Sequence, residues 1–215
     1  DFYARGNARI DRFAVAEDGS LAFITVGGNR GAHGLAIDPT GTYVYSGTHV
    51  FDVSGDAVTT LHSGTSGNST VLVDLDGTPG LITTLYGESV AVYELTAPDA
   101  PVEVVSQYVD SDSAREVVFD ASLERFYTVG RNRVVSLAFD GAGYTTLDAY
   151  ERRLGIRQYR DVALAGAEDR LLAAWWDDSG GSGVELFAVA EDGALTLLDG
   201  REFDDGFGHV VVKVP

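Results

Sequence analysis

The sequence predicts an all-β fold built from five repeats of four antiparallel strands. Short runs rich in Val, Thr, Tyr, Phe and Leu alternate with Gly and Asp turns along the 215 residues. No long stretch has the 3.6-residue period of a helix. A polar marker residue followed by an apolar strand recurs several times along the chain, and such recurrence indicates a repeat architecture.

Five copies of this pattern align, at residues 32–38, 68–74, 114–120, 159–164 and 208–212. After each copy but the last, a turn leads to a predicted second strand, at residues 43–48, 81–86, 126–131 and 171–176. Third strands are predicted at residues 50–53, 90–95, 134–139 and 184–189, and a fourth strand completes each unit. The marker residues lie 36 to 49 positions apart, which brackets the ~40 to 50 residues of a propeller blade.

The two ends of the chain together supply the missing strands of one unit. The fifth copy ends after its first strand, whereas residues 2–7 and 10–15 match second and third strands. Pairing the C-terminal strand with the N-terminal strands would remove an open sheet edge. We therefore predict a single domain, residues 1–215, folded as a five-bladed β-propeller whose ring is closed by this pairing. Five consecutive blades of a seven-bladed protein are the alternative.

Composition limits the classes of partner. The chain is 45% hydrophobic and 22% charged, so it can form a core. A net charge of -18 argues against binding to nucleic acid or to anionic membranes, and no apolar run is long enough for a spanning helix. The absence of Cys excludes disulfides and thiol catalysis. Because the sequence begins at Asp1, we expect a mature form or an excised domain without a signal peptide; the oligomeric state is open.

Two segments resemble known propeller repeats. Residues 36–46, Ala-Ile-Asp-Pro-Thr-Gly-Thr-Tyr-Val-Tyr-Ser, resemble the first strand, turn and second strand of lactonase-like and YVTN-type propellers. Residues 90–105, which begin Val-Ala-Val-Tyr-Glu-Leu, are similar to LVIVD-type repeats of surface proteins. The resemblance implies a toroidal sheet fold and an extracellular or periplasmic location. The chain has fewer residues and fewer predicted blades than lactonase-like propellers, so no catalytic residue is transferred from them.

The predicted topology separates charges between the two faces of the propeller. Hairpin turns on one face carry many carboxylates, among them Asp38, Asp74 and Asp120. Loops on the opposite face carry most of the arginines and histidines. A locally positive funnel in an acidic protein would attract anions. The alternative is that turn-forming Asp residues concentrate in tight hairpins and leave Arg elsewhere.

The marker column is the best candidate binding site, because its residues should surround the channel mouth. The column contains His33, Ser69, Arg115, Arg160 and His209. Arg offers a planar fork of donors and His can change charge near neutral pH, so the cluster suits a carboxylate, phosphate or sulfate. Glu116 and Asp161 follow the two arginines, and the alternative is that they form a structural belt of salt bridges with them.

A second column, at the end of strand two, lies on the rim of the same face. It contains Tyr86, Arg131 and Trp176. Trp176 could stack on a sugar ring. Because Trp175 and Trp176 alternate faces of one strand, the competing interpretation is that one indole packs between blades and the other is an ordinary rim residue.

Metal and motif signals are weak. His33 and His209 could share a divalent ion, but only Glu116 or Asp161 is near enough to be a third ligand, which disfavours zinc. Residues 74–77 resemble the start of a calcium loop but lack its later ligands, so we assign them to a turn. None of the GxSxG, HExxH, P-loop or GxGxxG motifs is present. We expect no metal and no cofactor.

Three functions remain open from the sequence. The first is an exported or surface binding module whose Arg/His funnel holds an anionic small molecule or an acidic glycan. The second is an enzyme, a lactonase-like hydrolase or a lyase acting on an acidic sugar, with His33 or His209 as general base and Tyr159 as acid. The third is a structural domain that docks to neighbouring domains of a longer chain.

Overall fold

The fold is known from a computed structural model. The structure describes residues 2–6, 9–16, 18, 20–27, 34–85, 89–109, 114–121, 123–152, 157–165, 169–177 and 180–203. These residues form nineteen strands in five sheets, and none of them lies in a helix. Within each sheet the strand order follows the chain, as expected for consecutive hairpins.

The first sheet has three described strands, which are β1 (Phe2–Gly6), β2 (Arg9–Val15) and β3 (Leu21–Gly27). Strands β1 and β2 agree with the strands predicted at residues 2–7 and 10–15. The predicted fourth partner, at residues 208–212, lies outside the described residues. Closure of the ring and the count of five blades therefore stay predictions, as does the single-domain assignment.

The other four sheets have four strands each. The second sheet contains β4 (Ala36–Ile37), β5 (Tyr43–Ser46), β6 (His49–Asp52) and β7 (Thr59–His62). The third contains β8 (Gly67–Leu75), β9 (Thr78–Leu85), β10 (Ser89–Ala97) and β11 (Ala100–Tyr108). The fourth contains β12 (Glu116–Asp120), β13 (Arg125–Val129), β14 (Arg133–Phe139) and β15 (Tyr144–Glu151). The fifth contains β16 (Arg157–Leu164), β17 (Arg170–Asp177), β18 (Ser182–Val189) and β19 (Leu195–Phe203).

Burial changes from the inner to the outer strands. The second strands are largely buried, as in β13, where Phe126 to Val129 are inaccessible. The fourth strands face solvent, and only the first residue of β19 is buried. The sequence of an inner strand that is covered on both sides is a nearly continuous apolar run. An outer strand needs apolar residues at only a few positions. This explains why the second and third strands gave the clearest sequence signal.

The chain divides into two compact units, Asp1–Thr83 with Val92–Glu103, and Thr84–Ala91 with Val104–Pro215. In the first unit, Ile10, Val44 and Phe51 form a buried cluster beside Val53. In the second unit, a larger cluster joins the fourth and fifth sheets. Its buried members are Tyr127, Val129, Val134, Tyr159, Val162, Leu171, Ala173, Trp175, Phe187, Val189 and Leu195.

Aspartates organise the hairpin turns by accepting hydrogen bonds from backbone N–H groups a few residues later. The Asp38 carboxylate accepts from the N–H groups of Thr40 and Tyr43 at 3.1 and 2.6 Å. Asp140 accepts from Ala142 and Gly143 at 3.0 and 2.7 Å. Such bonds replace those of a regular turn, so turn formation accounts for these carboxylates without a ligand.

Candidate functional site

The predicted site residues fall into three groups. His33, His209 and Tyr86 lie outside the described residues. Ser69 lies in the first unit. The remaining predicted site residues lie in the second unit, and they are Arg115, Glu116, Arg131, Tyr159, Arg160, Asp161 and Trp176.

Strand register agrees with the alignment of the third and fourth repeats, which lie in the fourth and fifth sheets. Glu116 pairs with Val129 across β12 and β13, and Asp161 pairs with Ala174 across β16 and β17. The residue before each acid, Arg115 or Arg160, therefore has the same place in its sheet. Because β12 lies beside β16, the two arginines come from neighbouring first strands.

Arg115 is half-buried and carries a charge that no described carboxylate compensates. Its Nη2 donates to Gln158 Oε1 at 3.3 Å, and its Nε is buried without a hydrogen-bond partner among the described residues. Burial lowers the pKa of the Arg115 guanidinium, and the positive charge of Arg131 lowers it further. Both effects disfavour the cation, so this guanidinium would gain from a bound anion.

Arg160 lies over the Trp176 ring, with its Cζ atom 4.7 Å from the ring centroid. Trp176 pairs with Gln158 across the two strands, so their side chains share one side of the sheet. Arg115, Gln158, Arg160 and Trp176 thus form one group, which we call the arginine cluster. A cation on an indole face gains electrostatic energy.

Sequence analysis missed Gln158, which accepts from Arg115 and pairs with Trp176. No local pattern carried this signal, because the register of β16 shifts between Tyr159 and Asp161 and interrupts the alternation of side chains. The competing interpretation of the two tryptophans, one in the core and one at the rim, agrees with their burial. Trp175 is 1% exposed and belongs to the core, whereas Trp176 is partly exposed. Arg160 lies over one face of the Trp176 indole, and stacking on a sugar stays a prediction.

Of the two acids beside the arginines, Asp161 has a carboxylate contact with the backbone, since its Oδ1 accepts from the Val162 N–H at 2.9 Å. For Glu116, it is the main-chain carbonyl that accepts, from Thr128 Oγ1 at 2.8 Å. A salt-bridge belt would require a carboxylate on each arginine. Among the described residues, Arg115 has none.

Tyr159 is buried on the opposite side of its strand. Its hydroxyl donates to the carboxylate of Glu185, which also pairs with Arg152. The ring belongs to the core cluster together with Trp175. The hydroxyl therefore points away from the arginine cluster, and proton donation to a ligand there would require a different side-chain position.

Ser69, in the first unit, is 1% exposed, and its carbonyl accepts from Thr83 Oγ1 at 2.7 Å. The Gly34 N–H donates to the Asn68 carbonyl at 2.7 Å. A Cβ at Gly34 would lie 2.9 Å from Ser69 Cα, so this approach requires glycine. Close packing explains this part of the marker column.

No known sequence family matches the chain, and no curated protein matches it. Among solved structures, the chain is similar to the periplasmic gluconolactonase of Pseudomonas aeruginosa, with a TM-score of 0.72 and 16% sequence identity. Two proteins named as 6-phosphogluconolactonases, from Bacteroides fragilis and Bacteroides uniformis, each align with a TM-score of 0.70 at 14% identity. Each alignment covers 92% of this chain.

The fold is of the β-propeller type. The chain spans 65%, 65% and 66% of the length of these three proteins. The likeness establishes the shared fold, and the YVTN-type and LVIVD-type repeat assignments stay predictions. Within the described part of the propeller, no three His, Asp or Glu side chains are grouped to hold a metal ion. Nor does that part contain a helix that is long and apolar enough to cross a membrane.

Proposed function

We propose that this β-propeller is a lactonase-like hydrolase that acts on the lactone of an acidic sugar. In this proposal the arginine cluster holds the anionic group of the substrate. The observation that carries it is the half-buried Arg115 guanidinium, which has no carboxylate partner among the described residues. A buried charge without a partner is costly, and a carboxylate or phosphate from a ligand would supply the missing charge.

The hydrolysis needs a nucleophile and a proton carrier in addition to the cluster. A general base, His33 or His209 in the proposal, takes a proton from water as the water oxygen attacks the lactone carbonyl carbon. The bond from that carbon to the ring oxygen then breaks, and the ring oxygen receives the proton. Guanidinium groups near the carbonyl would stabilise the oxyanion that forms during attack.

Structural similarity supports an enzyme over a simple binding module. The three neighbours are named as a gluconolactonase and two 6-phosphogluconolactonases. One of them is periplasmic by name, which supports an exported location for this chain. Both points are part of the proposal, since identity to these proteins is 14–16%.

Anion binding without turnover is the second candidate. It is favoured by the composition of the described cluster, which offers N–H donors and an indole but no general base. A carboxylate- or phosphate-bearing sugar would then bind at Arg115 and Arg160 and leave unchanged. Docking to a neighbouring protein domain remains a third proposal, with no contact to support it.

The test is hydrolysis of 6-phosphogluconolactone, whose phosphate supplies the anionic group, with the uncharged gluconolactone as a comparison. Acid release is followed in a pH-stat against the uncatalysed rate. Arg115→Met and Arg160→Ala each remove one guanidinium. Arg201→Ala is the matched control, because its side chain is 77% exposed and lies outside the cluster. Loss of a charge-assisted hydrogen bond, about 1.5–3 kcal/mol, predicts a fall in kcat/KM of roughly 10- to 100-fold.

The results separate the candidates. Turnover that falls in the two cluster variants and persists in Arg201→Ala supports the hydrolase. Binding of gluconate or phosphate without turnover, lost in the same variants, supports the binding module. Wild-type protein that neither hydrolyses the lactones nor binds these anions contradicts both.

A further inference from the structure

A buried polar network lies behind the strand that carries two residues of the arginine cluster. Tyr159 stands between Gln158 and Arg160, and its hydroxyl donates to the Glu185 carboxylate. Glu185 is 2% exposed and also pairs with the Arg152 guanidinium. The Cζ atom of Arg152 lies 5.1 Å from the ring centroid of Trp175. The Tyr159 side chain is therefore held at its tip.

The backbone of the same residue is also fixed. The Tyr159 N–H donates to the Gly130 carbonyl at 3.1 Å, in the turn between β13 and β14. Immediately after Tyr159 the register with β17 shifts, so that Tyr159 pairs with Trp175 and Asp161 pairs with Ala174. The extra residue at this β-bulge is Arg160.

Bulges redirect a side chain, and they are common next to active sites. Here the bulge coincides with the arginine that lies on Trp176. The equivalent strand of the fourth sheet has continuous register from Glu116 to Asp120.

We propose that Tyr159, Glu185 and Arg152 form a positioning network that fixes the bulge and so holds the Arg160 guanidinium on Trp176. This inference rests on the proposed function of the arginine cluster, and it assigns Tyr159 a positioning role. The Tyr159 hydroxyl ties the tip of this side chain to Glu185 on β18. A shift of pairing by one residue would turn Arg160 toward the other face of the sheet.

Quenching of tryptophan fluorescence by iodide and by acrylamide measures the position of Arg160. Trp175 is 1% exposed, so quenching reports chiefly on Trp176. Iodide is an anion and responds to the local positive potential, whereas acrylamide is neutral and responds to exposure alone. Titration with inorganic phosphate, followed by the same fluorescence, gives the dissociation constant of the cluster for an anion.

Tyr159→Phe removes only the hydroxyl. Glu185→Gln removes the negative charge of the carboxylate that accepts the hydrogen bond from this hydroxyl. Tyr150→Phe is the matched control, since Tyr150 packs on the same core cluster through its ring contact with Phe187. Arg160→Ala gives the largest change that loss of the guanidinium can cause.

We expect Tyr159→Phe and Glu185→Gln to lower the ratio of iodide to acrylamide quenching and to raise the phosphate Kd roughly 3- to 10-fold, because small displacements weaken a preorganised site. Tyr150→Phe should change neither quantity. If Tyr159→Phe behaves like Tyr150→Phe, the positioning role is wrong. Should Tyr159→Phe fail to fold, Glu185→Gln provides the same comparison.

The quenching ratio also distinguishes this inference from the proposed function. Absence of both lactone hydrolysis and phosphate binding in the wild-type protein would overturn the function. In that case, a ratio that falls in Tyr159→Phe nearly as far as in Arg160→Ala still supports the positioning network. A ratio that falls only in Arg160→Ala overturns the network alone.

Discussion

Arg115 is the residue where stability and function are expected to conflict. Its guanidinium is half-buried, its Nε lacks a hydrogen-bond partner among the described residues, and burial together with Arg131 lowers its pKa. Methionine keeps an apolar stem of similar length and removes the charge. We expect the free energy of unfolding of Arg115→Met to be unchanged or higher by up to about 1 kcal/mol.

Chemical denaturation of wild-type and Arg115→Met protein, in the absence of anions, measures this difference. Arg201→Ala serves again as the control. A loss of more than about 2 kcal/mol in Arg115→Met would contradict this expectation, because it is the cost expected when one member of a buried charge pair is removed.

Single residues also show where prediction from sequence ends. The alignment placed Arg115 and Arg160 in equivalent positions, and strand register agrees. Tyr159 looked equally available as an acid, yet its hydroxyl is bound to Glu185, which is 26 positions further along the chain. A contact over that distance depends on how two strands pack together, and no local pattern encodes it.

At the scale of elements, the sequence predicted the inner strands better than their ends. The predicted strand at residues 134–139 nearly coincides with Arg133–Phe139, because an apolar run that is buried on both sides is conspicuous. In the described part of the predicted segment 32–38, residues 34–38, the strand is Ala36–Ile37. It ends at Asp38, whose side chain accepts hydrogen bonds from the following N–H groups and forms a turn.

The Asp38 turn also predicts a dependence of stability on pH. Burial raises the pKa of Asp38, but hydrogen bonds from the Thr40 side chain and from backbone N–H groups, including that of Tyr43, outweigh it and leave the pKa lowered. A group whose pKa is lower in the folded state stabilises the fold above its unfolded pKa, near 4. That stabilisation is lost as the pH falls through the lowered value.

We therefore expect Asp38→Asn to be less stable than wild type by about 1 kcal/mol at pH 7, the scale of a lost hydrogen bond. The difference should shrink below about pH 4, where the wild-type carboxylate also becomes neutral. Thermal melts from pH 7 to pH 3 measure it, with Asp56→Asn, at an exposed position, as the control. A difference that stays constant over this range would contradict the assignment.

For the whole molecule, charge has two opposing consequences. The net charge is -18 at pH 7, so the negative charges on the surface repel one another and repel anions in solution. The arginine cluster is a local exception in which half-buried guanidinium groups lie together. Added salt should therefore act with opposite signs on the fold and on the site.

Between 10 mM and 1 M NaCl the Debye length falls from about 30 Å to about 3 Å. Screening of the self-repulsion should raise the melting temperature by a few degrees, in the wild type and equally in Arg160→Ala, because one guanidinium hardly changes the net charge. The Kd of the wild type for inorganic phosphate should rise by roughly 10-fold over the same range, since screening and chloride competition weaken a charged contact. Differential scanning fluorimetry and fluorescence titration on the same samples give both quantities.

A melting temperature that falls with salt would mean that attractive ion pairs outweigh repulsion across the surface. A phosphate affinity indifferent to salt would mean that the anion binds somewhere other than the arginine cluster.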